Sequence, residues 1–300
     1  MTSDAFAGSA TAATPVVHAD AATGYWRQVG QRLFKNRTFL FSFIALCVLL
    51  VVAVFAPWVA PFNPYQDDML ARMKGFGYEG HWLGTDELGR DVLSRLIYGA
   101  RISLITAVVP VLIASLVGGS LGVVAGIVGG KTNSVIMRCM DVFYAFPSVL
   151  LAVAISGAMG GGLANGIAAL SLIFIPPMCR VAETVASQLR GLDYMDAARG
   201  AGASTLLIIT YHVLRNVVSP VLVYASSLIG ASIVLASGLS FLGLGVQPPT
   251  ADWGLMLSSL RQSIYVQPWV CAMPGVAIVL TAMCFNFASE GVRAALDVKS

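Results

Sequence analysis

The stretch TFLFSFIALCVLLVVAVFAPWVA, residues 38–60, decides the fold class, because a segment of this length without a charged side chain is able to cross a bilayer. Of the 300 residues, 57% are hydrophobic and only 11% are charged. The mean hydropathy is +0.79. These values exclude an ordinary soluble protein and predict an all-α integral membrane protein with six transmembrane helices. The other five apolar stretches begin near Ile102, Val142, Asn165, Asn216 and Trp269.

Basic residues predict the orientation of the chain. The first span follows Arg27, Arg32, Lys35 and Arg37, which indicates a cytoplasmic N-terminus. With six spans the C-terminus is cytoplasmic too, and 12 of the 18 Lys and Arg residues then lie inside. The predicted regions are a disordered cytoplasmic tail (1–24), an N-terminal region with the first span (25–75), an extracytoplasmic segment (76–101) and a five-helix core (102–300).

Small residues and prolines mark the interiors of the predicted spans. Gly118, Gly119, Gly122 and Gly126 form a small-residue face on the second span, on which another helix can approach closely. Pro147 and the pair Pro176-Pro177 predict kinks in the third and fourth spans, which serve either a transport path or helix packing.

Ionisable residues are predicted only at the ends of the spans. Asp141 and Glu290 lie at cytoplasmic ends, and Arg180 ends the fourth span. An ion-driven carrier usually holds its coupling ion on an ionisable group inside the membrane. The pattern therefore favours energy supplied by another chain.

Motifs for enzymatic chemistry, metal binding and nucleic-acid binding are absent from the sequence. It contains no H-E-x-x-H or G-x-S-x-G, and its three histidines lie far apart. Asp67 and Asp68 have no nearby third ligand, so a solvated outer surface explains them better than a metal site. The basic residues are scattered, which gives nucleic-acid binding no support. We predict no catalytic residues, no metal and no cofactor bound by this chain, and the sequence leaves the substrate-binding residues unknown.

The most informative cytoplasmic connection runs from Arg180 to Arg215. A short helix is predicted over residues 192–199, a tight turn over residues 200–203, and a second helix with Ser204 as its N-cap. Such a helix-turn-helix is suited to insertion into a cleft on a partner protein. From the residues alone, an ordinary helical connection is the favoured interpretation.

The segment DAARGAG, residues 196–202, followed by Val213-Leu214, resembles the E-A-A...G...I-x-L-P signature of ABC importer permeases. Asp196 replaces the usual glutamate, and Arg215 stands where proline usually ends the motif, which leaves the effect of both departures open. Three further segments resemble the C-type permease subunits of the peptide and nickel importers, and among these the dipeptide permeases. They are HWLGTD (81–86), LGRDVLSRLIYGAR (88–101) and FLGLGVQPPT (241–250).

The resemblance implies a type I ABC importer permease fold in the bacterial inner membrane. It also implies a heterodimer with a second permease, two cytoplasmic subunits that carry ATP and Mg²⁺, and an extracytoplasmic solute-binding protein. The residues that would couple this chain to the ATPases lie in a loop near 190–215: Asp196, Ala197, Ala198, Arg199 and Gly202. The expected cargo is a short peptide, with nickel or glutathione as alternatives. A self-sufficient secondary carrier and a scaffold without transport activity are the alternatives from other classes.

Two charged groups have more than one interpretation in the sequence. The segment 81–101 alternates in charge on a predicted helix. Its charges either contact the binding protein or pair with one another as a solvated structural cap, and we favour the cap. Arg138 and Asp141 are three residues apart, and this spacing predicts a local ion pair.

Overall fold

The computed structural model describes residues 30–296, and the predicted tail over 1–24 lies outside them. Five helices are long and apolar enough to cross a membrane, and a bent pair of shorter helices provides the sixth predicted span. The helices in chain order are α1 (Arg37–Val54), α2 (Ala56–Val59), α3 (Val92–Val128), α4 (Gly130–Tyr144), α5 (Ser148–Met159), α6 (Leu163–Arg190), α7 (Asp193–Gly200), α8 (Thr205–Phe241), α9 (Trp253–Ser259) and α10 (Pro268–Leu296).

The third predicted span is broken into α4 and α5, which meet at an angle of 88°. Pro147 precedes α5, and the expected kink at this proline is confirmed. With 12 residues, α5 is about 18 Å long, which is too short to cross the bilayer by itself. Val142, where the span was predicted to begin, lies instead near the end of α4. We refer to α4 and α5 together as the broken span.

Three helices extend beyond the apolar stretches that predicted them. Helix α3 begins at Val92 rather than Ile102, and α8 begins at Thr205 rather than Asn216. Helix α6 continues past Arg180 to Arg190 and runs without interruption through Pro176-Pro177. Apolar length marks the part of a helix in lipid, whereas the helix itself continues into polar surroundings. Arg180 is therefore inside a helix that continues beyond the end of its apolar stretch.

The core is centred on the crossing of α3 with α6, where glycines on α3 contact the backbone of α6. A Cβ atom on Gly122 would lie 2.2 Å from the carbonyl oxygen of Cys179, and one on Gly126 would lie 2.7 Å from the Cβ of Ala186. The prediction of a small-residue face is thus confirmed for these positions. Gly119 points elsewhere, since its nearest neighbour would be Val221 Cγ1 at 4.0 Å.

Helix α1 lies at the outside of the bundle and is attached at both of its ends. Near its start, the buried Phe39 packs so closely on α10 that a Cβ on Gly291 would lie 2.6 Å from the Cβ of Phe39. Near its end, Arg101 of α3 donates hydrogen bonds to the carbonyls of Ala53 and Val54. Only three residues of α1 are buried, Phe39, Ser42 and Ala53, which fits a helix that faces lipid.

The charged segment before α3 is folded but not helical as far as Asp91, which corrects the predicted helix from His81. Asp91 is the N-cap of α3 and accepts hydrogen bonds from Ser94 N and His81 Nδ1. Residues 81–95 are called the charged cap below. Asp86, Arg90, Asp91 and Arg95 are buried, so the expectation of a solvated surface is wrong for these charges.

Asp86 is the centre of the charged cap. Its carboxylate accepts hydrogen bonds from Arg90 Nε at 2.8 Å and from the backbone N–H groups of Leu88 and Arg90, both at 2.9 Å. Arg95 Nε lies 3.5 Å from the same carboxylate. These contacts replace water around buried charges. The prediction that the charges of the segment pair with one another is confirmed.

Candidate coupling site

Helix α7 forms because its charges match the helix dipole. Asp193 and Asp196 lie in its first turn and Arg199 in its last. Met195 is completely buried and belongs to the core cluster that also contains Met178 of α6 and Val213 of α8. The short helix is therefore anchored by one apolar side chain, while its polar residues remain exposed.

The predicted coupling residues lie together on α7 and the turn that follows. Asp196 and Arg199 form an ion pair of 3.0 Å, and their side chains are 72% and 40% exposed. Ala197 is exposed and Ala198 is half-buried. An exposed pair at this spacing adds little stability, so its charges remain available to a partner.

Gly202 shapes the turn between α7 and α8. Its φ of 85° is in the left-handed region that favours glycine, which explains the glycine at this position. The N–H groups of Gly202 and Ala203 donate to the carbonyls of Arg199 and Ala198, which closes the end of α7. Ser204 Oγ then accepts a hydrogen bond from Leu207 N at 3.3 Å, as predicted for an N-cap. We call residues 193–204 the coupling site.

The start of α8 contains a feature that the sequence did not indicate. Ile209–Val213 form a wider, π-helical turn, and the helix then continues through Arg215. Arg215, which stands where the family motif usually has proline, therefore lies within an unbroken helix. The ring of His212 in this turn lies 6.1 Å from the ring of Tyr194, so the π-helical turn faces α7 directly.

An ion pair joins α6 to the broken span. Asp141 of α4 accepts a hydrogen bond from Arg180 Nη2 at 2.5 Å, and the Arg180 guanidinium lies 5.1 Å from the ring centroid of Tyr144. The predicted pair of Arg138 with Asp141 is wrong, because the partner of Asp141 comes from a helix that is remote in sequence. One turn further along α6, Glu183 accepts a hydrogen bond from Asn133 Nδ2 at 2.7 Å.

The acidic pair Asp67 and Asp68 has local roles. Asp68 accepts hydrogen bonds from the N–H groups of Leu70 and Ala71 and so caps a short 3₁₀ turn. Asp67 lies 3.8 Å from Arg90 Nε. Across residues 30–296, no group of three or more His, Cys, Asp or Glu side chains is arranged to hold a metal ion.

Two family models match the chain. Residues 118–299 match the binding-protein-dependent transport system inner membrane component. Residues 24–75 match the N-terminal TM domain of oligopeptide transport permease C. The first match covers α4 to α10 and includes the whole coupling site.

Curated relatives are similar over most of the chain. The probable D,D-dipeptide transport system permease protein DdpC of Escherichia coli K12 is 39% identical over 86% of this chain and 87% of its own length. The di/tripeptide transport system permease protein DppC of Pseudomonas aeruginosa is 40% identical over 91% of this chain and 92% of its own. The glutathione transport system permease protein GsiD of Pectobacterium atrosepticum is 36% identical over 96% of both chains.

A solved structure has the same fold. A chain of the MetNI methionine ABC transporter, in an inward-facing conformation, superposes with a TM-score of 0.55 at 18% identity. The match covers 68% of this chain and 97% of the other, which supports the type I permease architecture. Members of the matched family are multi-pass permease subunits in the bacterial inner membrane, and they are not themselves enzymes. The chain belongs to the family of inner membrane components of binding-protein-dependent transport systems, as a C-type ABC importer permease.

Proposed function

We propose that this chain moves short peptides across the inner membrane, driven by ATP that two partner subunits hydrolyse. The observation that carries the proposal is the coupling site, where an exposed α7 is fixed to the core by Met195. A second permease would complete the path, and an extracytoplasmic binding protein would deliver the cargo. ATP and Mg²⁺ would be held by the partner subunits, and both termini of this chain would be cytoplasmic.

The coupling site provides a mechanical route from the ATPases to the spans. Closure of two ATPases would draw the coupling sites of the two permeases together. Met195 would pass this displacement to the core between α6 and α8. The contact of Tyr194 with His212 would pass it to the π-helical turn, and such turns are frequent at functional sites. The bundle would then switch between inward-facing and outward-facing packings.

Peptide cargo is supported by the relatives, several of which are named for dipeptides or tripeptides. Relatives named for glutathione match a slightly larger share of this chain. Glutathione is itself a short peptide, so it is the second candidate cargo.

The coupling site is tested by Gly202→Trp and Asp196→Lys in the complete transporter. A Cβ at Gly202 would meet no atom within 4 Å, so the indole would project outward and obstruct the ATPase without a clash inside this chain. Lysine at position 196 would reverse an exposed charge. We expect at least tenfold lower peptide uptake in both variants and loss of the ATPases on co-purification, with normal membrane insertion.

Two matched controls separate docking from folding. Gly202→Ala imposes the same backbone strain, about 1–2 kcal/mol, without the bulk. Asp67→Lys reverses a charge that is 57% exposed in the region predicted to be outside. We expect both controls to keep their ATPases. Unchanged uptake in Gly202→Trp and Asp196→Lys would show that the partner binds elsewhere.

A further inference from the structure

A cavity of about 340 Å³ lies beside the coupling site, where three helices end and a fourth begins. Its wall is formed by residues at the ends of α3, α6 and α7 and at the start of α8: Ile127, Val128, Arg190, Arg199, Thr205 and Ile208. Ile127 and Ile208 are buried and form an apolar side of the wall. Two of the six residues are arginines and none is acidic. We call this space the arginine cavity.

The guanidinium of Arg190 is held at the wall of the cavity. Arg190 is the last residue of α6, and a Cβ on Gly129, which follows α3, would overlap its guanidinium. The glycine therefore leaves room for this group. An arginine in the last turn of a helix often binds the last carbonyls of that helix. Within residues 30–296, however, the Arg190 side chain forms no ion pair and donates no hydrogen bond, so its N–H donors are available to a ligand.

The second guanidinium of the cavity is only weakly neutralised. Arg199 Nη1 lies 3.0 Å from Asp196, whose side chain is 72% exposed, and exposed pairs of this kind are screened by water. The cavity therefore has two positive charges with a single carboxylate beside them. Next to the apolar side of the wall, a charge is screened less than in open water. These charges favour an anionic occupant.

The position of the cavity indicates which kind of anion reaches it. The apolar stretch of α6 ends at Arg180, and ten residues, about 15 Å of helix, separate Arg180 from Arg190. This distance argues against a lipid headgroup as the occupant. Arg199, in contrast, belongs both to the cavity and to the coupling site, so a protein that covers α7 also covers the cavity. The occupant is then an acidic group of the protein that docks on the coupling site.

We propose that an Asp or Glu side chain of the partner ATPase enters the arginine cavity and binds both Arg190 and Arg199. The inference rests on the proposed function, in which an ATPase docks on the coupling site. A guanidinium group binds carboxylates with short, strong hydrogen bonds, and the cavity has room for such a side chain with several water molecules of about 30 Å³ each.

This contact gives the ATPase a direct connection to two of the long helices. Arg190 lies one turn after Ala186, which packs against Gly126 at the close crossing of α3 and α6. A carboxylate held by Arg190 therefore acts on that crossing, whereas the route through Met195 acts on the core between α6 and α8. The two contacts together fix the ATPase to both sides of α6.

Photochemical capture identifies what lies at the cavity. Position 190 is replaced by the photoreactive residue p-benzoylphenylalanine in the complete transporter in its own membranes. Illumination is expected to join this chain to the ATPase, and mass spectrometry of the product identifies the ATPase segment. The same probe at the exposed Ala197 reports docking on the coupling site itself. At the exposed Arg293, near the end of α10, the probe is expected to capture no ATPase.

Charge reversal tests the contact itself. Arg190→Glu is expected to weaken binding of the purified ATPase to the permease pair by at least about tenfold. An ATPase variant in which the acidic residue of the captured segment is changed to arginine is expected to restore the lost affinity. Arg293→Glu is the matched control and is expected to leave the affinity unchanged. If Arg190→Glu fails to assemble, Arg190→Gln replaces it, and its ATPase affinity is expected to fall less steeply with rising salt than that of the unmodified permease.

The outcomes separate failure of the inference from failure of the proposed function. Capture of the ATPase from position 197 but not from position 190 would overturn the inference and leave the proposed function intact. Capture of a phospholipid at position 190 would assign the cavity to a lipid headgroup instead. Failure of every charge-reversed ATPase to restore binding to Arg190→Glu would exclude an ion pair. If neither position captures an ATPase and none co-purifies with the unmodified chain, the proposed function itself is wrong.

Discussion

Replacement of Gly122 by alanine tests the close crossing of α3 and α6. The added methyl group would lie 2.2 Å from the carbonyl oxygen of Cys179 and 2.8 Å from both the Cβ of Ala182 and the backbone nitrogen of Glu183. Two of these three atoms belong to the backbone of α6, so no side-chain rotation relieves the contact. The helices must separate, and the packing on either side of the crossing is lost.

The change in the free energy of unfolding follows from two opposing effects. Overpacking of this kind costs about 1–3 kcal/mol, and the upper end applies because backbone atoms are involved. Alanine in place of glycine within a helix returns about 1 kcal/mol. We therefore expect Gly122→Ala to lower the free energy of unfolding by about 2 kcal/mol.

Gly119→Ala is the matched control on the same helix. Its methyl group would meet only Val221 Cγ1, at 4.0 Å, so the gain in helix propensity of about 1 kcal/mol remains. The two variants are expected to differ by about 3 kcal/mol, a factor of about 100 in the unfolding equilibrium. Reversible unfolding in mixed micelles with increasing sodium dodecyl sulfate measures the difference. Equal stabilities would refute the close crossing.

Two further substitutions test the charged cap and the start of α8. Asp86→Asn leaves the guanidinium groups of Arg90 and Arg95 without their buried counter-charge, so we expect a loss of about 3–5 kcal/mol in the same unfolding assay. Asp67→Asn is the exposed control, and a loss below about 1 kcal/mol for Asp86→Asn would contradict the buried network. Ser204→Ala removes the N-cap of α8 and is expected to cost about 1 kcal/mol of stability at the start of this helix. Amide hydrogen exchange at Leu207 is expected to become faster. Unchanged exchange there would mean that the cap is not formed in solution.

Much of the fold follows from local sequence. Long apolar stretches predict spans because every backbone polar group in lipid must be satisfied within a helix or a closed barrel. The glycines on α3 predict a close helix crossing, and Ser204 and Gly202 predict the boundaries of the turn in the coupling site. In each case the physical cause is contained within a few neighbouring residues.

The remaining features depend on contacts between distant residues. Asp141 pairs with Arg180, which is 39 residues away, rather than with Arg138 one turn before it. The apolar stretch in the sequence ends at Arg180, although the helix continues beyond it. Nothing in the neighbouring residues indicates that the charge of Arg180 is neutralised by a residue of another helix. Burial of the charged cap likewise depends on the packing of Asp86 against other charged side chains. From the sequence, these charged side chains were expected to be exposed to solvent.

The attachment of α1 at both ends has a consequence for chimeric proteins. The two family matches divide the chain into an N-terminal module over residues 24–75 and a main module over 118–299, which invites exchange of the first module between relatives. However, Phe39 depends on the absence of a side chain at Gly291, and the last carbonyls of α1 depend on Arg101. Both partners lie outside the exchanged segment. A functional chimera must therefore carry matching residues at positions 101 and 291, so the two modules are expected to evolve as one unit.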